Sequence, residues 1–283
     1  MQRAVADMGR VALLGTVLLG IALQAVAADA PADVSLSRLD CGKTSMMSKE
    51  DLTYLSDVNA FAGLKAKITY SCYLIKHGSD YLIWDTGYAV AGSAKASPDA
   101  PKASLVQQLT RVNLKPEQIK YIGISHYHGD HTGQAASFPA ATLLIGKGDW
   151  EVLNDPKRDP EINVANLSHW LGGGGKVEPV SGDKDVFGDG SVIMLNTPGH
   201  TPGHHSLMVQ LKEKGTVMLT GDLAHFRENY DTDGVPTFNT NRADTLASLD
   251  RFKKLGANMK ATIIIQHDAR DIDKLPVFPD AAR

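Results

Sequence analysis

Apolar residues recur at alternate positions in Ile68–Ile75 (ITYSCYLI) and dominate Tyr81–Trp84 (YLIW), and the polar stretch His77–Asp80 (HGSD) separates the two runs. Successive strand side chains face opposite sides, so the pattern predicts a β-hairpin ending at Asp85-Thr86-Gly87. Short apolar runs predict further strands at Val34–Leu39, Tyr121–Ser125, Ala141–Ile145, Val192–Leu195, Ser206–Leu211, Val217–Thr220 and Thr262–Ile265. Helical spacing predicts Ser48–Leu55, with Ser48 as N-cap, and Ser104–Val112, with Leu105, Val106, Leu109 and Val112 on one face. It also predicts a helix starting at Gly148–Leu153, and Arg242–Leu255 with Leu246, Leu249 and Phe252 inward and Gly256 as the stop. Residues 91–101 read as a surface loop, and 154–180, with four glycines at 172–175, as irregular. No period repeats. Hairpins followed by alternating strands and helices predict sheets covered by helices in one α/β domain.

One apolar run does not fit a domain core. Val11–Leu23 follows Arg3 and Arg10 and precedes small residues ending in Ala25-Val26-Ala27. This is the layout of a cleavable secretory signal, and the run is short for a bilayer span. The expectation is a signal peptide over 1–27, one domain over 28–283, a periplasmic or secreted product, and no stable membrane insertion after cleavage. The net charge is −3, and −4 without the first 27 residues, with no basic cluster. Nucleic acid is therefore an unsuitable partner. Cys41 and Cys72 are the two cysteines. An oxidising compartment allows a disulfide. Cys72 lies inside an apparent strand, where a small buried hydrophobe is ordinary, so two buried thiols are the expectation.

The chemistry concentrates in SHYHGDHTG, where His126, His128, Asp130 and His131 fall within six positions, although the chain has ten histidines. Imidazoles this dense repel when protonated, and a metal ion is what gathers them. Other predicted strands end beside the same residue types: His200 in TPGHTPGH, Asp222 in LTGD and His267 in QHD. Rigid strands ending in short loops bring distant side chains to one point. Imidazole with carboxylate suits zinc first, then iron or manganese.

In this H-x-H-x-D-H run, with His200, Asp222 and His267 following in order, the chain from about Ile68 onward resembles the metallo-β-lactamase superfamily. The resemblance implies an α/β four-layer αβ/βα sandwich with metals in a cleft at one edge of two sheets. It implies that His126, His128 and His200 bind a first metal, that Asp130, His131 and His267 bind a second, and that Asp222 bridges them. Two divalent ions are thus expected, zinc before others. Asp85 matches a position that orients ligands from behind. His204 is expected to brace its loop, His205 and His169 have no motif behind them, and His77 is expected in solvent.

SHYHGDHTG, TPGHTPGHHSL, GDLAHFRENYD and the ending IIIQHDARDIDKLPVFPD resemble the N-acyl-homoserine lactonase branch of that superfamily. This implies a hydrolase in which a metal-bridging hydroxide opens a lactone ring, with Asp130 carrying the proton to the departing oxygen. A small-molecule lactone is the implied partner, and a homodimer is allowed. The alternative is a periplasmic metallo-β-lactamase, or an ester or organophosphate hydrolase of the same fold. One position departs from the branch: where its members carry a tyrosine three residues after the bridging aspartate, this chain has His225. A neutral imidazole N–H can donate in the same place, so His225 is a second catalytic candidate. Met46, Met47, Phe61 and Trp170 are candidates for lining an acyl groove.

Overall fold

The computed structural model describes residues 33–61, 63–90 and 97–283. The segment assigned as a signal peptide and part of the 91–101 loop lie outside them. The first strand, β1 (Val34–Met46), outruns the expected Val34–Leu39, because two register shifts against its partner carry the pairing past polar residues and Gly42. Helix α1 (Lys49–Tyr54) follows, then the hairpin of β2 (Lys67–His77) and β3 (Asp80–Trp84), closed by Gly78-Ser79. Helix α2 (Leu105–Leu109) starts at a capping box in which Ser104 and Gln107 exchange hydrogen bonds, and a 3-10 turn, Thr110–Val112, extends it. Then come β4 (Tyr121–Ile124), α3 (Gly129–Thr132), β5 (Thr142–Gly146) and α4 (Lys147–Asn154).

The stretch read as irregular holds α5 (Ser168–Leu171) and β6 (Val177–Val180), with β7 (Lys184–Asp185) just beyond it. These strands are short, and their pairing partners hold them in place rather than their own pattern. The chain ends with β8 (Val192–Asn196), β9 (His205–Leu211), β10 (Gly215–Leu219), α6 (Arg227–Thr232), α7 (Arg242–Asn258) and β11 (Thr262–Ile264). Gly256 does not stop α7. It lies inside the helix, where a Cβ would come within 2.9 Å of Ile263 on β11, so its lack of a side chain permits close packing.

Two mixed sheets result, ordered β1-β2-β3-β4-β5-β6 and β11-β10-β9-β8-β7. Alternation then sorts the strand residues into layers. Tyr73, Ile75, Leu82, Trp84 and Leu144 of the first sheet share one core with Val192, Met194, Leu207, Val209, Val217 and Leu219 of the second. The opposite faces carry helices: Leu74, Ile83, Leu143 and Ile145 pack with Leu105, Leu109, Phe138 and Trp170, while Met208 and Met218 pack with Leu249 and Phe252 of α7. This is the four-layer α/β sandwich, with the two sheets at its centre.

Cys41 and Cys72 form a disulfide, against the expectation of two thiols. Register pairs Cys72 with Leu39, and the irregularity after Asp40 brings Cys41 close enough, with Cα atoms 5.7 Å apart. Among the described residues, no helix is long and apolar enough to cross a membrane.

Candidate metal centre

Strands of both sheets end at one edge. From the first sheet come Asp85 after β3 and Ser125-His126 after β4; from the second come Thr197–His200 after β8, Asp222 after β10 and His267 after β11. The two ends are tied by the His205 backbone N–H, which donates to the Ser125 carbonyl at 2.8 Å.

All seven residues singled out by their pattern meet there, in two groups. In the first, His126 Nε2, His128 Nδ1 and His200 Nε2 lie 2.9–3.2 Å apart. Asp222 Oδ2 is 3.6 Å from His126 Nε2 and 3.3 Å from His200 Nε2. In the second, His131 Nε2 and His267 Nε2 are 3.2 Å apart, and each is 3.6 Å from Asp130 Oδ2. Asp222 Oδ1 lies 3.1 and 2.9 Å from those two nitrogens. One carboxylate therefore turns an oxygen to each group.

The outward nitrogens fix the ring orientations. His131 Nδ1 meets Asp85 Oδ2 at 2.9 Å, His267 Nδ1 donates to the Thr69 carbonyl at 2.8 Å, and His200 Nδ1 meets Asn239 Oδ1 at 2.8 Å. His126 Nδ1 lies 3.0 Å from Ser125 Oγ. Such partners leave a lone pair on the inward nitrogen, the form in which imidazole binds a metal. Asp85, fully buried, also accepts from Ser125 N–H at 2.7 Å and from Gln266 Nε2 at 2.7 Å.

A cation fits this arrangement. Asp222 Oδ1 is buried and faces only the His131 and His267 imidazole nitrogens, so it has a cation or their protons to satisfy it. Three imidazoles converging edge-on leave lone pairs facing lone pairs, a cost that a shared cation removes. The donor set is nitrogen and oxygen only, which matches zinc and its neighbours.

Charge divides the two groups. Burial, reinforced by neighbouring imidazoles, holds His126 well below the usual imidazole pKa, and burial with His200 nearby brings His128 down to about 4. Burial would lower His131 and His267 too, but the Asp222 and Asp130 carboxylates outweigh it and raise both, with Asp85 adding to the rise at His131. Burial pushes Asp222 up, yet the surrounding imidazoles, His131 and His267 foremost, hold it well below the usual carboxylate value.

His225 Nε2 sits 3.1 Å from Asp222 Oδ2, and its Nδ1 is buried without a partner. A proton on Nε2 serves both atoms, because a buried lone pair without a donor costs less than a buried N–H without an acceptor. His204 stands outside both groups. Its Nε2 accepts from the Asp222 N–H at 3.0 Å, and its Nδ1 faces the Thr197 carbonyl at 3.0 Å. His205 points both ring nitrogens at carbonyls, of Gly203 and Gly182, and His169 reaches the Pro139 carbonyl. His77 is not simply solvated: it stacks on Phe187 at 4.1 Å and pairs with Asp189 at 2.8 Å.

A cavity of about 470 Å³ opens beside the two groups, with Asp130, Asp222, His128, His225 and His267 on its polar side. Met46, Met47, Leu55, Ile68 and Phe238 are its apolar lining, with Tyr54, Tyr70 and Tyr88, and the Phe238 ring stands 5.7 Å from those of His200 and His225. Of the four groove candidates, Met46 and Met47 line the cavity. Phe61 and Trp170 do not: the first packs with Leu52, Leu55 and Phe226, the second in the core of the helix layer. Sequence reasoning missed Phe238, Asn239, Tyr70 and Tyr88. None of them stands near the histidine motifs in sequence, and no local signal marks them.

The family model for the metallo-beta-lactamase superfamily matches residues 68–267. The N-acyl homoserine lactonase AttM of Rhizobium radiobacter is 29% identical over 178 residues, 58% of this chain and 63% of that protein. The N-acyl homoserine lactonase of Bacillus cereus is 29% identical over 223 residues, 74% of this chain and 85% of that one. The chain thus spans less than two thirds of the length of the Rhizobium relative. Among solved structures, an N-acyl homoserine lactone hydrolase with N-hexanoyl-L-homoserine bound at its catalytic metal centre superposes with a TM-score of 0.70. That protein is 25% identical, and the match covers 89% of this chain and all of that one.

Proposed function

The chain belongs to the metallo-beta-lactamase superfamily, and on that premise we propose that it is a two-metal hydrolase that opens N-acyl homoserine lactone rings. The observation that carries the reading is Asp222, with one carboxylate oxygen turned to each ligand group, in the lining of a cavity that apolar side chains share. His126, His128 and His200 would hold one cation, Asp130, His131 and His267 the other, and Asp222 both. Zinc is the metal we assign. When bound, such a pair supplies Lewis acidity toward a carbonyl and makes hydroxide available near neutral pH.

The chain's own residues do the rest. The Met46, Met47 and Phe238 side takes the acyl chain out of water and points the ring at the polar side. Asp130, which is a fifth exposed to the cavity, takes the proton of the attacking water. It passes that proton to the ring oxygen as the ring C–O bond breaks, which leaves an alcohol and a carboxylic acid, and the acid releases the water's second proton to solvent to become the carboxylate. His225 Nε2–H, which meets Asp222 Oδ2 at 3.1 Å here, turns to the oxygen that gains charge during the attack.

The relatives named above support the substrate class. The Cys41–Cys72 disulfide and the apolar run at 11–23 support export to an oxidising compartment, which we propose and which cell fractionation tests. Purified protein, with its metal content measured, is assayed against N-hexanoyl and N-decanoyl homoserine lactones and a chromogenic cephalosporin. Lactone opening that a chelator abolishes and zinc restores is the expected result. Turnover of the cephalosporin alone, or lactone opening that survives complete metal removal, overturns the reading.

A further inference from the structure

Asp149 lies in the first turn of α4, fully buried, with its carboxylate turned away from solvent. Its Oδ1 accepts from the Gly203 N–H at 2.6 Å. Its Oδ2 accepts from Thr201 Oγ1 at 2.9 Å and from the Tyr127 N–H at 3.2 Å. Tyr127 stands between His126 and His128, and Thr201 directly follows His200. One side chain is thus bonded to both loops that carry the three imidazoles of the first ligand group. Those loops leave different sheets, one after β4 and one after β8.

The neighbouring sequence makes room for this contact. A Cβ on Gly146 would fall 1.7 Å from the Gly203 carbonyl oxygen, and one on Gly203 would fall 2.3 Å from the Asp149 nitrogen. Both positions therefore lack side chains, which lets the start of α4 press on the His200 loop. The three partners of Asp149 are uncharged. Burying a carboxylate against neutral groups alone costs stability, and burial pushes this carboxyl up to about 7 despite three hydrogen bonds that favour the charge. The Gly203 and Tyr127 N–H groups approach different oxygens, so an amide would set its own N–H against one of them, and the carboxylate is what bonds both loops at once.

We propose that Asp149 is the positioning residue of the first ligand group. It sets the spacing of His126, His128 and His200 through their backbones, and it leaves the second group, which Asp85 orients through His131, untouched. The inference rests on the two-metal reading above. It adds that the first cation has a support, Asp149, that the second does not share, so the first can be loosened by itself.

The test is cation binding by metal-free protein, with zinc titrated against a chromogenic chelator to resolve two binding steps. Wild-type protein, Asp149→Asn and Asp85→Asn are compared, and each metal-free form is also melted. In Asp149→Asn one step weakens about 10–100-fold, as when the outer partner of a metal ligand is removed. The other step stays within about threefold, and metal-free melting is not lowered. Asp85→Asn, which alters the His131 contact and also the Ser125 N–H contact beside His126, weakens the opposite step more than this one. The site is assigned by combination: with His200→Ala, Asp149→Asn adds no further loss, and with His267→Ala it adds its full loss. If Asp149→Asn fails to fold, Thr201→Val removes one of the three bonds and weakens the same step by a smaller factor.

Equal weakening of both steps together with a lower metal-free melting temperature marks Asp149 as a general structural residue and overturns the proposal. So does binding unchanged in Asp149→Asn. Absence of any zinc binding by the wild type overturns the two-metal reading instead, so the two failures are distinguishable.

Discussion

In the first ligand group, His126 and His200 are backed by uncharged partners, Ser125 Oγ and Asn239 Oδ1. In the second, His131 rests on the Asp85 carboxylate and, with His267, faces Asp130. Asp222 belongs equally to both. In the first group burial holds His126 and His128 toward the neutral form, while in the second carboxylates hold His131 and His267 toward the protonated one. One edge of the fold thus sets two imidazoles kept in their metal-binding form beside two that favour the proton. The difference follows from placement: the first group's outer partners are hydroxyl and amide groups, whereas the second has the Asp85 carboxylate behind His131, the Thr69 carbonyl behind His267 and the Asp130 carboxylate facing both.

The strongest way to break the comparison is to remove the residue that both halves share. Asp222→Ala should lower kcat/KM for lactone opening by on the order of 10³-fold, about 4 kcal/mol of barrier. Zinc content should fall below one equivalent, because each group loses its facing oxygen. Zinc retained at two equivalents with activity within tenfold of wild type would show that the two groups do not depend on a common carboxylate. Asp130→Asn touches one half only. The amide still offers an oxygen to His131 and His267 but carries no proton for the leaving oxygen. The expected result is a fall in kcat of about 10²-fold with little change in zinc content. Proportional loss of zinc and activity would reduce Asp130 to a ligand.

His225→Phe tests the side on which the cavity meets the first group. It removes one neutral hydrogen bond, about 1–1.5 kcal/mol, so kcat should fall about tenfold while KM and both zinc sites hold. A change in KM alone would place His225 in substrate binding and not in the attack on the carbonyl.

Much of this difference between halves was open to sequence reasoning, and its causes were not. His126, His128, Asp130 and His131 are close in sequence, and His200, Asp222 and His267 each follow a short apolar run, so pattern alone located them at strand ends. The hairpin at 67–84 was legible because alternation over 68–72 and two apolar runs, 73–75 and 81–84, flank a polar turn. By contrast β6 and β7, four and two residues long, exist because a neighbouring strand pairs with them. The Cys41–Cys72 bond depends on a register irregularity that no spacing rule contains. Trp170 and Phe61 were ambiguous for a related reason: a large apolar side chain in an irregular segment reads the same whether it lines a cavity or fills a core. Asn239 and Asp149, which steady the first group, carry no local signal because their partners are 39 and 52 positions away. Ligands sit in motifs, and what holds them steady is dispersed.

The smallest effect is one of pH, and it bears directly on the difference in charge. In the metal-free protein His131 and His267 have raised pKa values, so folding is stabilised by their protonated forms. That contribution is fully present below the ordinary imidazole value of about 6.5 and is lost as pH rises through the raised folded values. His126 and His128 have lowered values, so their contribution has the opposite sign: it is complete above about 6.5 and is lost as pH falls toward the lowered folded values. Melting of the metal-free protein should therefore weaken toward both acid and alkali. Zinc should flatten the alkaline side in particular, because a cation takes the place of the protons on the second group. Calorimetric titration of zinc at pH 7 in two buffers of different ionisation enthalpy counts those protons. One binding step should release protons and the other almost none. Equal release in both steps would mean that the two groups, however different their neighbours, bind as one.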